Sequence, residues 1–419
     1  MAVPVLVAAA GAGWEAEALD VLARGGPSVV LHKRCVDLAD LLASASTGLA
    51  SVALVSPSLG GLDADSVSGL HRAGLGVLLV AADTEIAAEN GRLHRLGIRH
   101  VLEAADLDRL PAAVRAAADD AGPTREDAPP TAADAAVPGA GRLVAVWGPA
   151  GAPGRTTVAV GLAAELAGRG ETFLVDADPY GGTVAQHLGV LDEVSGLLAA
   201  ARAANSGRLD GDALAGYARE VGTRLRVLTG LPRADRWAEV RGSAFQEILD
   251  VATGLATTVV VDVGFNLEQR AGEPFTGSAP HRNQMTLSAL EHADEVVVVG
   301  AADPVGLARL ARGLVELHDV LPSTGLRVVV NRNRPSLGWA ERDIVGMVEG
   351  FLTPRAVHFL PEDRAAADRA LMAGRSLAES GDCALSRALA DLARAVAGEP
   401  AAPGRHHGGR RLARRARRR

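Results

Sequence analysis

Short apolar runs alternate with helical stretches along the first part of the chain. Each apolar run is long enough for a strand, and each following stretch repeats its apolar residues at helical spacing. The predicted strands are 3–9, 28–32, 51–55, 76–81 and 99–103, and the predicted helices are 14–24, 36–45, 62–72, 84–96 and 106–118. Five strand–helix repeats predict a small doubly wound parallel sheet in a domain spanning 1–121.

A larger series follows the segment 122–140, which is rich in proline, alanine and acids. That segment has no periodic apolar face and predicts a linker. The apolar runs beyond it are 142–147, 172–176, 225–229, 257–263, 295–300, 326–331 and 356–360. We therefore expect an α/β protein with two doubly wound parallel-sheet domains, the second spanning 141–398.

Composition and charge restrict the classes of function. The chain has 419 residues, of which 48% are apolar, and it has no apolar run of about 18 residues that would predict a membrane span. Cys35 and Cys383 have neither metal-site nor redox-pair spacing, which favours a reducing cytoplasm.

The net charge of −7 conceals an asymmetry at the end of the chain. Residues 405–419 contain eight arginines and no acid, which leaves −15 on the remainder. A basic tail at 399–419 is expected to be disordered. Two alternatives stay open for it: electrostatic contact with anionic membrane or nucleic acid, or a solvated end without a partner.

The run AVWGPAGAPGRTTVAV at 145–160 places a glycine-rich loop between a strand and a helix. Such a loop cradles a triphosphate with backbone N–H groups, and a hydroxyl at the start of the helix ligates Mg²⁺. The predicted nucleotide-binding residues here are Gly151, Ala152, Gly154, Arg155, Thr156 and Thr157, with Thr156 also predicted as a metal ligand. Arg155 stands where a phosphate loop usually has lysine. Because Lys33 is the only lysine of the chain, biased base composition is an alternative explanation for the arginine.

Two further segments resemble the MinD/ParA group of P-loop ATPases. The group usually has Lys-Gly-Gly-x-Gly-Lys-Thr-Thr in its loop, whereas Ala150 and Arg155 replace the two lysines. FLVDADPYGG at 173–182 is similar to the group's Asp-x-Asp segment. The resemblance implies that Asp178 orients the attacking water and that Asp176 supports the Mg²⁺ region. TTVVVDVG at 257–264 resembles the Walker B strand, with Asp262 holding Mg²⁺.

The last two segments resemble the adenine pocket of the same group. RVVVNRNRP at 327–335 places Asn331 at a strand end, and HFLPEDRAAADRALMAGRSLAE at 358–379 contains Pro361. The resemblance implies that Asn331 binds the base and that Pro361 walls it. An asparagine or aspartate at a strand end is also common as a turn residue. The group's Pro-Gly switch is absent, because Val263, Gly264 and Phe265 are followed by a long polar stretch.

The first domain resembles a response-regulator receiver without its functional residues. Ala8, Ala9 and Ala10 stand where a receiver has its acidic pair, and Ser56 follows Val55 where it has the phosphorylated aspartate. Asp63 is expected at the start of the next helix, where an acid favours the positive end of the dipole. We interpret this domain as a pseudo-receiver used for docking or dimerisation.

A pseudo-receiver, a linker and a MinD-like domain without the loop lysine together resemble the CpaE/TadZ branch. The loop WGPAGAPGRTT at 147–157 and the segment LTGLPRADRW at 228–237 are most similar to its actinobacterial members, which include septum-site-determining homologues. The resemblance implies a cytoplasmic homodimer, peripheral at the membrane, pole or septum, that binds ATP and Mg²⁺. It would position pilus, secretion or division machinery, with weak or absent hydrolysis. Two alternatives stay open: a pseudo-ATPase scaffold and a ParA-type DNA-partitioning ATPase.

Overall fold

The computed structural model describes residues 2–24, 28–82, 96, 98–120, 141–151, 154–190, 194–268, 281–321 and 326–399. The predicted helix at 84–96 except for Leu96, the linker, Ala152 of the loop and the tail after residue 399 lie outside the described residues.

The first domain contains a five-stranded parallel sheet in the order β2-β1-β3-β4-β5. Its strands are β1 (Val3–Ala8), β2 (Val29–Arg34), β3 (Val52–Val55), β4 (Gly76–Ala81) and β5 (His100–Glu103). Its described helices are Glu15–Arg24, Leu38–Ala45, Ala64–Arg72 and Leu110–Asp119, the last preceded by a 3₁₀ segment, Ala104–Arg109. The expected doubly wound sheet is therefore present, and its order is one that doubly wound folds commonly adopt.

The helix expected at 106–118 begins later than predicted. Asp106 has non-helical backbone angles inside the 3₁₀ segment, and the α-helix starts at Leu110 with proline in its first turn. Proline suits this place because its missing N–H has no helical partner there. Asp63 lies at the N-cap of Ala64–Arg72, as predicted, and forms a capping box with Ser66.

The second domain contains an eight-stranded sheet in the order β13-β12-β11-β6-β10-β7-β9-β8. Its strands are β6 (Arg142–Trp147), β7 (Thr172–Ala177), β8 (Arg219–Glu220), β9 (Leu225–Leu228), β10 (Thr258–Val263), β11 (Glu295–Ala301), β12 (Leu326–Asn333) and β13 (Ala356–Pro361). All neighbours are parallel except β8, which pairs antiparallel with β9. The apolar pattern did not predict β8, because two residues are too short to show a period.

Helices cover both faces of this sheet. The described α-helices are Arg155–Ala167, Val184–His187, Gly196–Asn205, Gly211–Tyr217, Gly242–Leu255, Gln284–His292, Pro304–Val320, Glu341–Glu349, Arg364–Ala373 and Ala384–Val396. Short 3₁₀ segments span Ala234–Glu239 and Pro335–Leu337. Every residue of β11 is buried, as expected for a central parallel strand with helices on both sides.

A buried charge network lies at the amino edge of this sheet. Glu295, fully buried at the start of β11, accepts from Nη2 of Arg142 and from Nε of Arg327, each at 2.5 Å. The same arginines donate to the last carbonyls of Ala384–Val396, Arg142 to Val396 and Arg327 to Ala395. The network therefore fixes the end of Ala384–Val396, the last described helix, against the first residues of the strands.

His358 completes this network on β13. Its Nε2 accepts from Nη1 of Arg327 at 3.1 Å. Burial, together with the charge of Arg327, lowers the pKa of His358 to about 4. The imidazole is therefore neutral at physiological pH.

No described helix has the length and apolarity needed to cross a membrane.

Candidate functional site

The glycine-rich loop leaves the carboxyl end of β6 and leads into the helix Arg155–Ala167. Gly154, the N-cap, has φ 100°, and Gly151 has φ 68°. Both lie in the left-handed region that glycine adopts without a steric penalty. A Cβ on Gly154 would also lie 2.3 Å from Nδ2 of Asn331. Backbone conformation and space both require glycine at 154, and the helix N-terminus faces the loop with its positive dipole end.

Arg155 crosses the loop to reach the predicted catalytic carboxylate. Its Nη1 donates to the Gly148 carbonyl at 3.1 Å, and its Nη2 donates to Oδ2 of Asp178 at 3.2 Å. The two side chains of the ion pair are only 16% and 12% exposed. Nε of Arg155 is buried without an acceptor among the described residues. The loop cation is thus paired with Asp178, and its buried Nε–H is available to an acceptor outside the described residues.

Thr156 and Asp262 lie together, as the sequence predicts. Oγ1 of Thr156 donates to Oδ2 of Asp262 at 2.7 Å, at the end of β10. Oδ1 of Asp262 is buried without a partner among the described residues. Burial raises the pKa of Asp262 to about 7, although Thr156 and Arg155 act to lower it. A buried carboxylate oxygen without a donor fits a bound cation or its water shell.

Asp176 lies beside Asp262 on the neighbouring strand, at the same register position. The Val184 N–H donates to its Oδ2 at 3.1 Å, and the Asp178 N–H makes a long contact of 3.4 Å with Oδ1. Burial, then the charge of Asp262, raises the pKa of Asp176 to about 8. Gly182 packs against this carboxylate so closely that a Cβ there would lie 1.9 Å from Oδ1. Asp176 therefore organises the segment between itself and Val184, and its metal role stays a prediction.

The described residues fit Mg²⁺ held mainly by phosphate and water. No group of three or more His, Cys, Asp or Glu side chains in the described part of the chain is arranged as a complete metal site. Mg²⁺ in nucleotide sites commonly takes one or two protein ligands and completes its octahedron with phosphate oxygens and water. Thr156 and Asp262 would hold it, and the ion would supply charge neutralisation on the phosphates.

A cavity of about 380 Å³ adjoins the loop on the side of β12 and β13. Its lining includes Gly154, Thr157, Asn331 and Pro361, which the sequence assigned to the nucleotide. Asn331 is 8% exposed, and its Oδ1 accepts from the Arg332 N–H at 2.9 Å. Its amide nitrogen lies against Gly154, so the predicted base pocket and the loop are contiguous.

Sequence reasoning missed an arginine that contacts the loop from outside. A Cβ on Gly151 would lie 1.9 Å from Nη1 of Arg309, on the helix Pro304–Val320. Gly313 allows that helix to approach, because a Cβ there would lie 2.9 Å from Cβ of Pro149. The side chain of Arg309 is exposed, and no carboxylate among the described residues pairs with it. No local sequence pattern indicates this contact, because it depends on how the helix Pro304–Val320 packs against the loop.

It also missed a polar cluster beyond the carboxylates. Tyr180 packs against Phe265 with ring centroids 4.9 Å apart and the rings tilted by 37°, and the Arg282 guanidinium lies 4.3 Å from the Tyr180 centroid. The Tyr180 hydroxyl donates to Oδ1 of Asn283 at 2.7 Å. The backbone N–H of Tyr180 donates to Oδ1 of Asp178 at 2.9 Å. The polar stretch noted after Gly264 thus supplies the residues that hold the Asp178 segment.

The second domain is similar in fold to solved structures of ATPases. The ParA family ATPase from Chlorobium tepidum TLS is 18% identical, with a TM-score of 0.52 over 61% of this chain and 99% of that one. The second domain has the ParA ATPase fold. The expectation of a MinD/ParA-like fold is therefore confirmed, while the CpaE/TadZ assignment stays a prediction.

Two MinD structures are similar at lower scores. The cell division ATPase MinD of Pyrococcus furiosus is 18% identical, covering 62% of this chain and 99% of that one, with a TM-score of 0.48. MinD of Aquifex aeolicus is 19% identical, covering 64% and 100%, with a TM-score of 0.46. No family model and no curated protein matches the sequence.

Proposed function

We propose that this protein is a MinD/ParA-type positioning protein that binds ATP and Mg²⁺ and hydrolyses ATP weakly or not at all. The observation that carries the proposal is the convergence of Arg155, Thr156, Asp178 and Asp262 on one sheet edge. There a buried oxygen of Asp262 and a buried donor of Arg155 have no partner among the described residues. Buried polar groups are rarely left unpaired unless a ligand or water completes them.

The adjoining cavity supports adenine as the base. Asn331 presents its amide beside the loop, and Pro361 closes the other side. The carboxylate of Asp363 is engaged by the Ala366 N–H at 3.0 Å, and that of Glu362 pairs with Arg334 at 3.0 Å. These contacts occupy one oxygen of each acid, and the base contacts that the resemblance implies, Asn331 and Pro361, are those of an adenine pocket. We therefore expect ATP to bind in preference to GTP.

Calorimetric titration of the full chain tests binding. We expect micromolar-to-millimolar affinity for ATP with Mg²⁺ and weaker binding for GTP. Thr156→Ala should weaken the Mg²⁺-dependent part about tenfold. Thr257→Ala is the matched control, because that hydroxyl donates to the Glu171 carbonyl at the opposite edge. Absence of ATP-dependent heat in the parent protein at millimolar nucleotide would refute the proposal.

Weak hydrolysis is supported by the pairing of Arg155 with Asp178. A carboxylate oxygen that accepts from a guanidinium is not available to orient the attacking water. A planar arginine also does not reproduce the point charge of lysine. Arg155→Lys should therefore increase phosphate release, and Ala150→Lys should increase it further in a dimer that sandwiches nucleotide. The scaffold function, favoured by the same ion pair, would be adopted if ATP bound normally and neither change increased phosphate release.

Within this proposal, the cellular role follows the CpaE/TadZ resemblance. The protein would be cytoplasmic and homodimeric, with the first domain a docking pseudo-receiver, and would recruit pilus, secretion or division machinery. The Arg-rich tail would bind anionic membrane or nucleic acid through charge alone. Deleting residues 405–419 should abolish salt-sensitive retention on anionic vesicles or DNA while leaving ATP affinity unchanged. Equal retention of both proteins would exclude that role.

A further inference from the structure

The two domains contact each other through a buried aspartate. Asp63 caps its own helix, with Oδ1 accepting from the Ser66 N–H at 2.9 Å, and it is only 5% exposed. Its second oxygen accepts from Nη1 of Arg241 in the second domain. The carboxylate therefore serves two purposes at once: it caps a helix of the first domain and binds a cation of the second.

Arg241 precedes the helix Gly242–Leu255. Its sequence neighbour Val240 is buried in the second domain. The Val240 carbonyl accepts from the side-chain amide of Gln284, the first residue of Gln284–His292. Asn283, adjacent in sequence, is 3% exposed and accepts from the Tyr180 hydroxyl. A continuous series of contacts therefore runs from the domain boundary to the polar cluster at the nucleotide edge.

The series ends on the ion pair that nucleotide must rearrange. The Tyr180 N–H and Nη2 of Arg155 each donate to one oxygen of Asp178. The structure shows this pair formed. Phosphates bound in the loop would compete with Asp178 for the guanidinium, so nucleotide binding would release the pair. Coupling between sites requires an element with two such arrangements.

We infer that docking of the first domain at Arg241 restrains the nucleotide site by holding Asp178 in its pair with Arg155. The inference rests on the proposed ATP binding and adds regulation of that site. Because coupling is reciprocal, ATP binding weakens the docking by the same factor by which docking weakens ATP binding. Interfaces between domains of one chain commonly allow relative motion, as such reversible docking requires.

The test uses the full chain and variants that keep the helix cap. Asp63→Asn retains a capping oxygen but removes the charge that binds Arg241, and Arg241→Gln removes the same contact from the other domain. Each should raise ATP affinity about three- to tenfold in calorimetric titration, and the double variant should gain no more than either single one. Asp37→Asn is the matched control, because Asp37 caps Leu38–Ala45 of the same domain through the Asp40 N–H. It should leave ATP affinity unchanged.

Hydrogen exchange supplies the reciprocal measurement. ATP should accelerate amide exchange in Ala64–Arg72 of the parent protein and have no such effect in Arg241→Gln. Unchanged affinity in both single variants, or additive gains in the double variant, would overturn the inference while leaving ATP binding established. If the parent protein bound no ATP at all, the proposed function would fail and this inference would fail with it. Failure of the inference alone is recognised because the parent protein still binds ATP.

Discussion

At the amino edge of the eight-stranded sheet, each oxygen of the buried Glu295 carboxylate accepts from an arginine. At the carboxyl edge, the equally buried Asp262 has one oxygen bound by Thr156 and one without a partner in the described chain. Both edges bury charge, at a desolvation cost that pairing must offset. The paired edge explains how the last helix is attached. The carboxyl edge, where Asp262 has an oxygen without a partner, requires something that the described residues do not supply.

The largest effect should come from breaking the paired edge. Glu295→Gln would leave Arg142 and Arg327 without their carboxylate and should lower the free energy of unfolding by about 3 kcal/mol. Urea denaturation measures it. Asp391→Asn is the control, because its pair with Arg394 lies on the surface and should contribute less than about 1 kcal/mol. Equal losses in the two variants would mean that the buried Glu295 network contributes no more to the free energy of unfolding than a surface ion pair.

The same edge should also be sensitive to acid. The pKa of His358 is lowered to about 4 in the folded protein from its ordinary value of 6.5. The unfolded chain therefore takes up a proton first, and stability is lost as pH falls from about 6.5 towards 4. His358→Gln keeps an acceptor for Arg327 and should remove about 2 kcal/mol of that loss. Parallel unfolding curves for parent and variant across this range would contradict the neutral buried imidazole.

The unpaired edge should respond in the opposite direction. Asp262→Asn removes a buried charge that lacks a full set of partners, yet it keeps an oxygen for Thr156. We expect the ligand-free protein to gain about 1 kcal/mol of stability at pH 8 while losing Mg²⁺-dependent stabilisation by ATP. Thermal unfolding with and without ATP and Mg²⁺ measures both. A loss of stability without ligand would show that Asp262 is a structural residue like Glu295.

The smallest effect concerns the cation outside the loop. Arg309→Ala should weaken ATP binding about fivefold, since it removes a positive charge beside the phosphates, and should leave AMP binding unchanged. Arg312→Ala, one turn further along the exposed face of the same helix, should change ATP affinity less than twofold. Equal effects of the two variants would mean that Arg309 acts only through the overall positive charge of this surface and makes no specific contribution at the phosphates.

The strands and the convergence of the site were predictable because both depend on short, local patterns. Buried parallel strands appear as apolar runs, and strand-final polar residues such as Asp262 and Asn331 must meet at one edge. The residues that were missed act through tertiary packing. Arg309 reaches Gly151 only because Gly313 lets its helix approach, and Tyr180 joins Asn283 across more than a hundred residues. No local period encodes such pairs.

The attachment of the last helix also gives the molecule two distinct poles. Ala384–Val396 ends at the amino edge, where Arg142 and Arg327 bind its final carbonyls, and a strand of six residues separates that edge from the phosphate loop by about 20 Å. Glu399, the last residue that the structure describes, pairs with Arg169 and lies at the pole opposite the phosphate loop. Under the electrostatic role proposed for the Arg-rich tail, a surface that bound the tail would leave the nucleotide pole facing outward.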